Sequence, residues 1–146
     1  NPRVIGVKNS SMPVQDIQTF ASLGGEDHIV FNGPDEQFLG GRLMGAGAGI
    51  GGTYGAMPEL FLKLNQLIAD KDLEIARALQ FAINGIIGVL TSAHGNMYGV
   101  IKEVLRINEG LELGSVRSPL TPVTEADQEV VQKAASLIRE VKERFL

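Results

Sequence analysis

The stretch Arg3-Val4-Ile5-Gly6-Val7-Lys8-Asn9-Ser10-Ser11, RVIGVKNSS, decides how the rest of the chain is read. Its first half has the composition of a buried strand, and the apolar run stops on a lysine followed by small polar residues. Such a strand either lets its last side chain reach solvent or presents an amine to a site. The neighbouring segments choose between these readings.

Downstream, Ser11–Gly25 (SMPVQDIQTFASLGG) predicts a helix, with Pro13 suited to its first turn and Gly24-Gly25 to its end. His28–Gly33 (HIVFNG) predicts a second strand, cut off by Asn32-Gly33-Pro34. Phe38, Leu39, Arg42 and Leu43 fall at helical spacing, and Gly47–Gly55 (GAGIGGTYG) predicts a third strand in which glycine replaces bulk. Strands joined by connections of helix length imply a parallel sheet with right-handed crossovers. After Tyr54 the pattern is helical only: Met57–Asp70, the long apolar Asp72–Ala93, Asn96–Asn108 and a final helix opened by Thr124 as N-cap. For the last helix the expected buried stripe is Val130, Ala134, Ile138, Val141 and Phe145.

Composition narrows the function classes. The 146 residues are 44% apolar and 21% charged with a net charge of -4, as in an ordinary globular domain. No basic stripe stands out, so no nucleic-acid partner is expected. The absence of cysteine excludes disulfides and thiolate metal sites and fits a cytoplasmic setting. Neither a signal peptide nor a transmembrane run of about 18 apolar residues is read, so no membrane association is expected. His28 and His94 stand far apart, are read as structural, and suggest no metal site.

Gly47-Ala48-Gly49-Ile50-Gly51-Gly52 satisfies the dinucleotide fingerprint G-x-G-x-x-G. That fingerprint needs a strand before the glycines and a helix opening on them. Here a helical segment precedes the glycines, which fall inside the strand. The favoured reading is close approach of backbone or ligand at a strand end. Three parallel strands would also leave both sheet edges and much of one face uncovered. The pattern is that of the last part of something larger.

Gly6–Ser11 (GVKNSS), Val30–Glu36 (VFNGPDE), Gly45–Gly55 (GAGAGIGGTYG) and Ser118–Glu125 (SPLTPVTE), in this order and spacing, resemble the C-terminal half of the N-acetylneuraminate lyases. These lyases lie within the dihydrodipicolinate synthase and pyruvate aldolase superfamily. The resemblance covers essentially the whole chain. It implies an α/β fold: strands six to eight of a (β/α)8 TIM barrel, with residues 1–92 as the barrel portion and 93–146 as a C-terminal helical extension packed on it. A whole barrel needs about 250 residues. The resemblance therefore implies a partner, an N-terminal half-barrel chain carrying strands one to five, in a tetramer of paired halves.

It also implies a class I aldolase that cleaves N-acetylneuraminate reversibly to N-acetylmannosamine and pyruvate without metal or organic cofactor. Lys8 would be the Schiff-base nucleophile, at the strand end where barrel enzymes place their chemistry. Attack requires a neutral amine, which a desolvating barrel interior favours. Ser10 matches a hydroxyl residue near the substrate, and Gly33, Asp35 and Glu36 match the GxDE motif that holds the sugar-acid tail. Gly52 stands where these lyases usually carry a serine, and Tyr98 lies near a usual pocket aromatic. The family's strand-five tyrosine and its Ser/Thr pair after strand two lie outside this chain, and Tyr54 is not taken as a substitute. The alternatives are another pyruvate-dependent aldolase or synthase of the superfamily, or a non-catalytic binding half.

Overall fold

The structure, a computed structural model, describes residues 1–146. Strands β1 (Gly6–Asn9), β2 (Ile29–Asn32) and β3 (Ala48–Gly49) form one parallel sheet in the order β1-β2-β3. Lys8 pairs with Phe31, and Phe31 with Ala48, so these three side chains lie on one face. Val30, on the opposite face, is buried with Ile17 and Ala46 beneath helix α1 (Gln15–Gly24). Lys8 is exposed, whereas Phe31 and Ala48 are half-buried.

Local sequence explains most boundaries. Helix α1 follows Pro13 and ends at Gly25, whose φ of 62° suits a residue without a β-carbon. Helix α2 (Phe38–Leu43) continues a tight turn at Asp35–Gln37. Pro58 opens helix α3 (Pro58–Ala69), where a missing N–H costs nothing. The Asp72 carboxylate accepts from Ile75 N at the start of helix α4 (Leu73–Leu90). Asn96 does the same for Tyr98 N in helix α5 (Met97–Glu109), which stops at left-handed Gly110. Thr124 and Asp127 form a reciprocal capping box ahead of helix α6 (Gln128–Phe145).

Three expectations need correction. The third strand is only Ala48–Gly49, because the chain turns away where Gly51 and Thr53 close on the Asp35 carboxylate. In α6 the buried stripe is Val131, Ala134, Ala135, Ile138 and Val141, with Val130 and Phe145 half-buried. The helix begins after the tight turn Glu125–Asp127, which rotates the face by one residue. Third, α4 is long and apolar enough to cross a membrane by length and composition, with mean hydropathy 1.4. One face of it is packed within the chain: Ala76, Leu79, Ile83, Ile86, Ile87 and Leu90 are buried in the core, whereas Leu73, Ile75 and Phe81 are exposed.

That core is one cluster of 21 buried residues running from Phe38 to Val141, built largely from α3, α4, α5 and α6. The sheet contributes to a second cluster of three. Both sheet edges carry apolar grooves. Along β1 the lining includes Val4, Val7, Phe20, Leu23 and Ile29. Along β3 it includes Phe38, Ala48, Tyr54, Phe61 and Leu62.

Candidate active site

The C-terminal ends of the three strands bring the candidate residues together in three adjoining groups. The first is at the β1–β2 junction. Gly33 N donates to Asn9 O at 2.8 Å, and a β-carbon on Gly33 would lie 2.5 Å from Ser10 Oγ. A side chain at position 33 would therefore force the strand ends apart and displace the Ser10 hydroxyl. Lys8 sits two residues earlier on the same strand.

The second group is built around Asp35, which is buried. Its Oδ2 accepts from Thr53 N at 2.7 Å and from Thr53 Oγ1 at 2.5 Å. A β-carbon on Gly51 would overlap Asp35 Oδ1. The glycine cluster thus lets a carboxylate dock against the backbone after β3. No strand–glycine–helix phosphate cradle is present: α2 precedes the glycines, and the next helix opens only at Pro58. Tyr54 stacks on Phe61 with centroids 3.9 Å apart and meets Phe38 edge-on at 6.1 Å. Burial, reinforced by the Asp35 charge, pushes the Tyr54 phenol far above its ordinary pKa. It stays protonated, with its hydroxyl oxygen buried and unpartnered. Tyr54 is therefore poorly suited to accept a proton. Glu36, next to Asp35, is exposed.

The third group joins the strand layer to α5. A β-carbon on Gly52 would come within 2.9 Å of the Tyr98 hydroxyl and 3.5 Å of Met97 Cε. Position 52 has no side chain, and a phenol hydroxyl stands beside the space left. Tyr98 itself is half-exposed.

Sequence reasoning missed Thr53, Gln80 and Asn84. Gln80 Oε1 accepts from Leu39 N at 2.9 Å, while its Nε2 donates to Asp35 O at 3.1 Å and to Asn84 Oδ1 at 2.8 Å. Asn84 Nδ2 in turn donates to Glu36 O at 3.0 Å. The available signal was Gln80 itself, an amide within the apolar stripe of α4. The histidines lie outside this arrangement. His28 Nδ1 contacts Gly24 O at 3.1 Å, and the exposed His94 contacts Asp127 at 3.3 Å. No group of three His, Cys, Asp or Glu side chains is placed to hold a metal ion.

Known proteins give this geometry a frame. The chain is 59% identical over all 146 residues to an N-acetylneuraminate lyase of Mediterraneibacter gnavus, and covers 46% of that protein. It is 38% identical over 136 residues to an N-acetylneuraminate lyase of Rhizobium meliloti, covering 93% of this chain and 44% of the relative. The solved wild-type sialic acid aldolase of Ruminococcus gnavus superposes with a TM-score of 0.99 at 59% identity, over 100% of this chain and 48% of its own. A dihydrodipicolinate synthase of Bacillus anthracis, 20% identical, shares the fold at a TM-score of 0.82 over 91% of this chain and 44% of its own. The chain spans about half the length of the curated relatives it matches. Its three parallel strands and C-terminal helices superpose on about half the length of these proteins, which share the TIM-barrel fold. The profile of the dihydrodipicolinate synthetase family matches residues 1–138, and the chain belongs to that family.

Proposed function

We propose that this chain supplies strands six to eight, and the Schiff-base lysine, of a cytoplasmic N-acetylneuraminate lyase. An N-terminal half-barrel carrying strands one to five completes it, and paired halves assemble into a tetramer. Residues 1–92 belong to the barrel and 93–146 to the helical extension. The observation that carries the reading is the placement of Lys8. Of the six lysines, it alone stands on a strand, two residues before Ser10 of the Ser10–Gly33 junction. A solved relative, 58% identical, is a catalytic lysine mutant of sialic acid aldolase, which supports a reactive lysine in this lineage.

In this reading the Lys8 amine attacks the substrate ketone at C2, and water leaves to form a protonated imine. Removal of the C4 hydroxyl proton breaks the C3–C4 bond. The electron pair moves toward the imine nitrogen, giving an enamine and releasing N-acetylmannosamine. Protonation of the enamine at C3 and hydrolysis of the imine return pyruvate and the free amine. The Lys8 face is open in this half, and the remaining strands cover it. Ser10 lies near the reacting carbons. Gly33 sets the strand spacing, and Asp35 and Glu36 accept hydroxyl protons from the polyol tail. At Gly52 the missing serine hydroxyl is replaced by that of Tyr98, which enters the same space from α5.

Combining the chain with its N-terminal half and assaying pyruvate release tests the proposal. Turnover only on combination is the expected result; full turnover by the lone chain would refute it. The absence of a side-chain hydroxyl at Gly52 favours one rival, a pyruvate-dependent aldolase acting on a shorter 2-keto acid. A substrate panel in which such an acid outperforms N-acetylneuraminate would establish that rival.

A further inference from the structure

The turn that carries Asp35 and Glu36 is held from outside the sheet. Asp35–Gln37 is a single tight turn, and short turns of this kind have weak hydrogen-bond geometry of their own. Two side chains on α4, one helical turn apart, reach it across the core. Gln80 takes Leu39 N–H and gives an N–H to Asp35 O. Asn84 gives an N–H to Glu36 O, and the two amides are bonded to each other at 2.8 Å.

The direction of this relay is fixed by chemistry. Leu39 N can only donate, so Gln80 must present its oxygen there and its NH2 to the turn and to Asn84. Asn84 then accepts with its oxygen and faces Glu36 with its NH2. Both amides are locked in one orientation, and together they bracket the backbone from Asp35 to Leu39. Gln80 is 5% exposed in an otherwise apolar stripe. A buried amide there is unfavourable unless it is fully bonded, and packing alone would be served by leucine.

We infer that Gln80 and Asn84 are positioning residues through which the helical layer sets the aim of the Asp35 and Glu36 carboxylates. The inference rests on the reading of those carboxylates as the polyol-binding pair. It makes the sugar-acid end of the site dependent on α4, while Lys8 stands on β1, paired with Phe31 of β2.

The test uses the barrel completed by its N-terminal half, comparing parent, Asn84→Ala and Gln80→Leu. Asn84 is only half-buried, so Asn84→Ala keeps the test interpretable if Gln80→Leu fails to fold. Two quantities are measured: KM and kcat for N-acetylneuraminate, and the pyruvate concentration that half-saturates borohydride trapping on Lys8. Loss of one such hydrogen bond predicts a rise in KM of about fivefold, with kcat within about twofold and pyruvate half-saturation unchanged. An unchanged KM in Asn84→Ala would overturn the inference. So would a parallel shift of KM and pyruvate half-saturation, which marks general loosening. Failure of the parent to trap pyruvate would instead sink the lyase reading, and this inference with it.

Discussion

The strand layer and the helix layer of this chain complete their packing to very different degrees. In the strand layer, Val4 and Ile5 remain 55% and 72% exposed, and only Ile17, Val30 and Ala46 form a closed cluster. In the helix layer, Leu60, Leu64, Leu79, Ile83, Leu90 and Ile138 are at 0% within a 21-residue core. Apolar side chains along a sheet edge are unstable as a free surface and invite pairing. The helices bury their own apolar faces; the strand layer leaves Val4 and Ile5 uncovered within this chain. The candidate site lies along the seam, with Lys8 on the strand layer and Gln80, Asn84 and Tyr98 on the helix layer.

The largest effect that could break this contrast is in the core. Leu79→Ala should cost about 3 kcal/mol in denaturant unfolding of the lone chain. Ile5→Ala should cost under about 0.5 kcal/mol there, yet about 1.5 kcal/mol or more once the barrel is completed and Ile5 is covered. Equal costs for Ile5→Ala in both states would mean that the strand layer gains no cover.

Next in size is the seam. Gly51→Ala places a methyl on Asp35 Oδ1 and should destabilise by about 2 kcal/mol. Its KM for N-acetylneuraminate should rise because the carboxylate is displaced. Unchanged stability would show that the loop after β3 yields freely.

A smaller effect concerns Tyr98 and Gly52. Tyr98→Phe should raise KM about fivefold through one lost hydroxyl contact, and adding Gly52→Ser to that variant should restore it. No change in Tyr98→Phe would leave the phenol a packing group.

The last effect belongs to the helix layer alone and to acid pH. N–H groups of Thr124 and His94 hold the Asp127 carboxyl at about 2, below its ordinary 3.8. A depressed folded pKa stabilises fully above the unfolded value and is lost as pH falls through the folded one. Thermal melts should therefore show Asp127→Asn less stable than the parent above pH 4, with the gap closing between pH 4 and 2. A gap independent of pH would remove the capping carboxylate from the account.

Much of this architecture could be read from the residues. Strand and helix order followed from apolar period, and the ends from Pro13, Gly24-Gly25 and Thr124. What escaped depends on contacts distant in sequence. GAGIGGTYG reads as a strand because nothing local says that Asp35, eighteen residues before Thr53, pulls the chain aside. The α6 face slipped from Val130 to Val131 because the preceding tight turn is invisible to a 3.6-residue period. Lys8, Ser10, Gly33, Asp35, Glu36 and Gly52 became candidates through motif resemblance. Thr53 and Asn84 carry no local mark, and Gln80 only the weak one of an amide on an apolar stripe.

The most direct measurement is borohydride reduction in the presence of pyruvate, followed by peptide mass mapping. A reduced pyruvyl adduct is expected on Lys8 when the barrel is complete, and none in Lys8→Met. An adduct on another lysine, or none on Lys8 in the completed barrel, would contradict it.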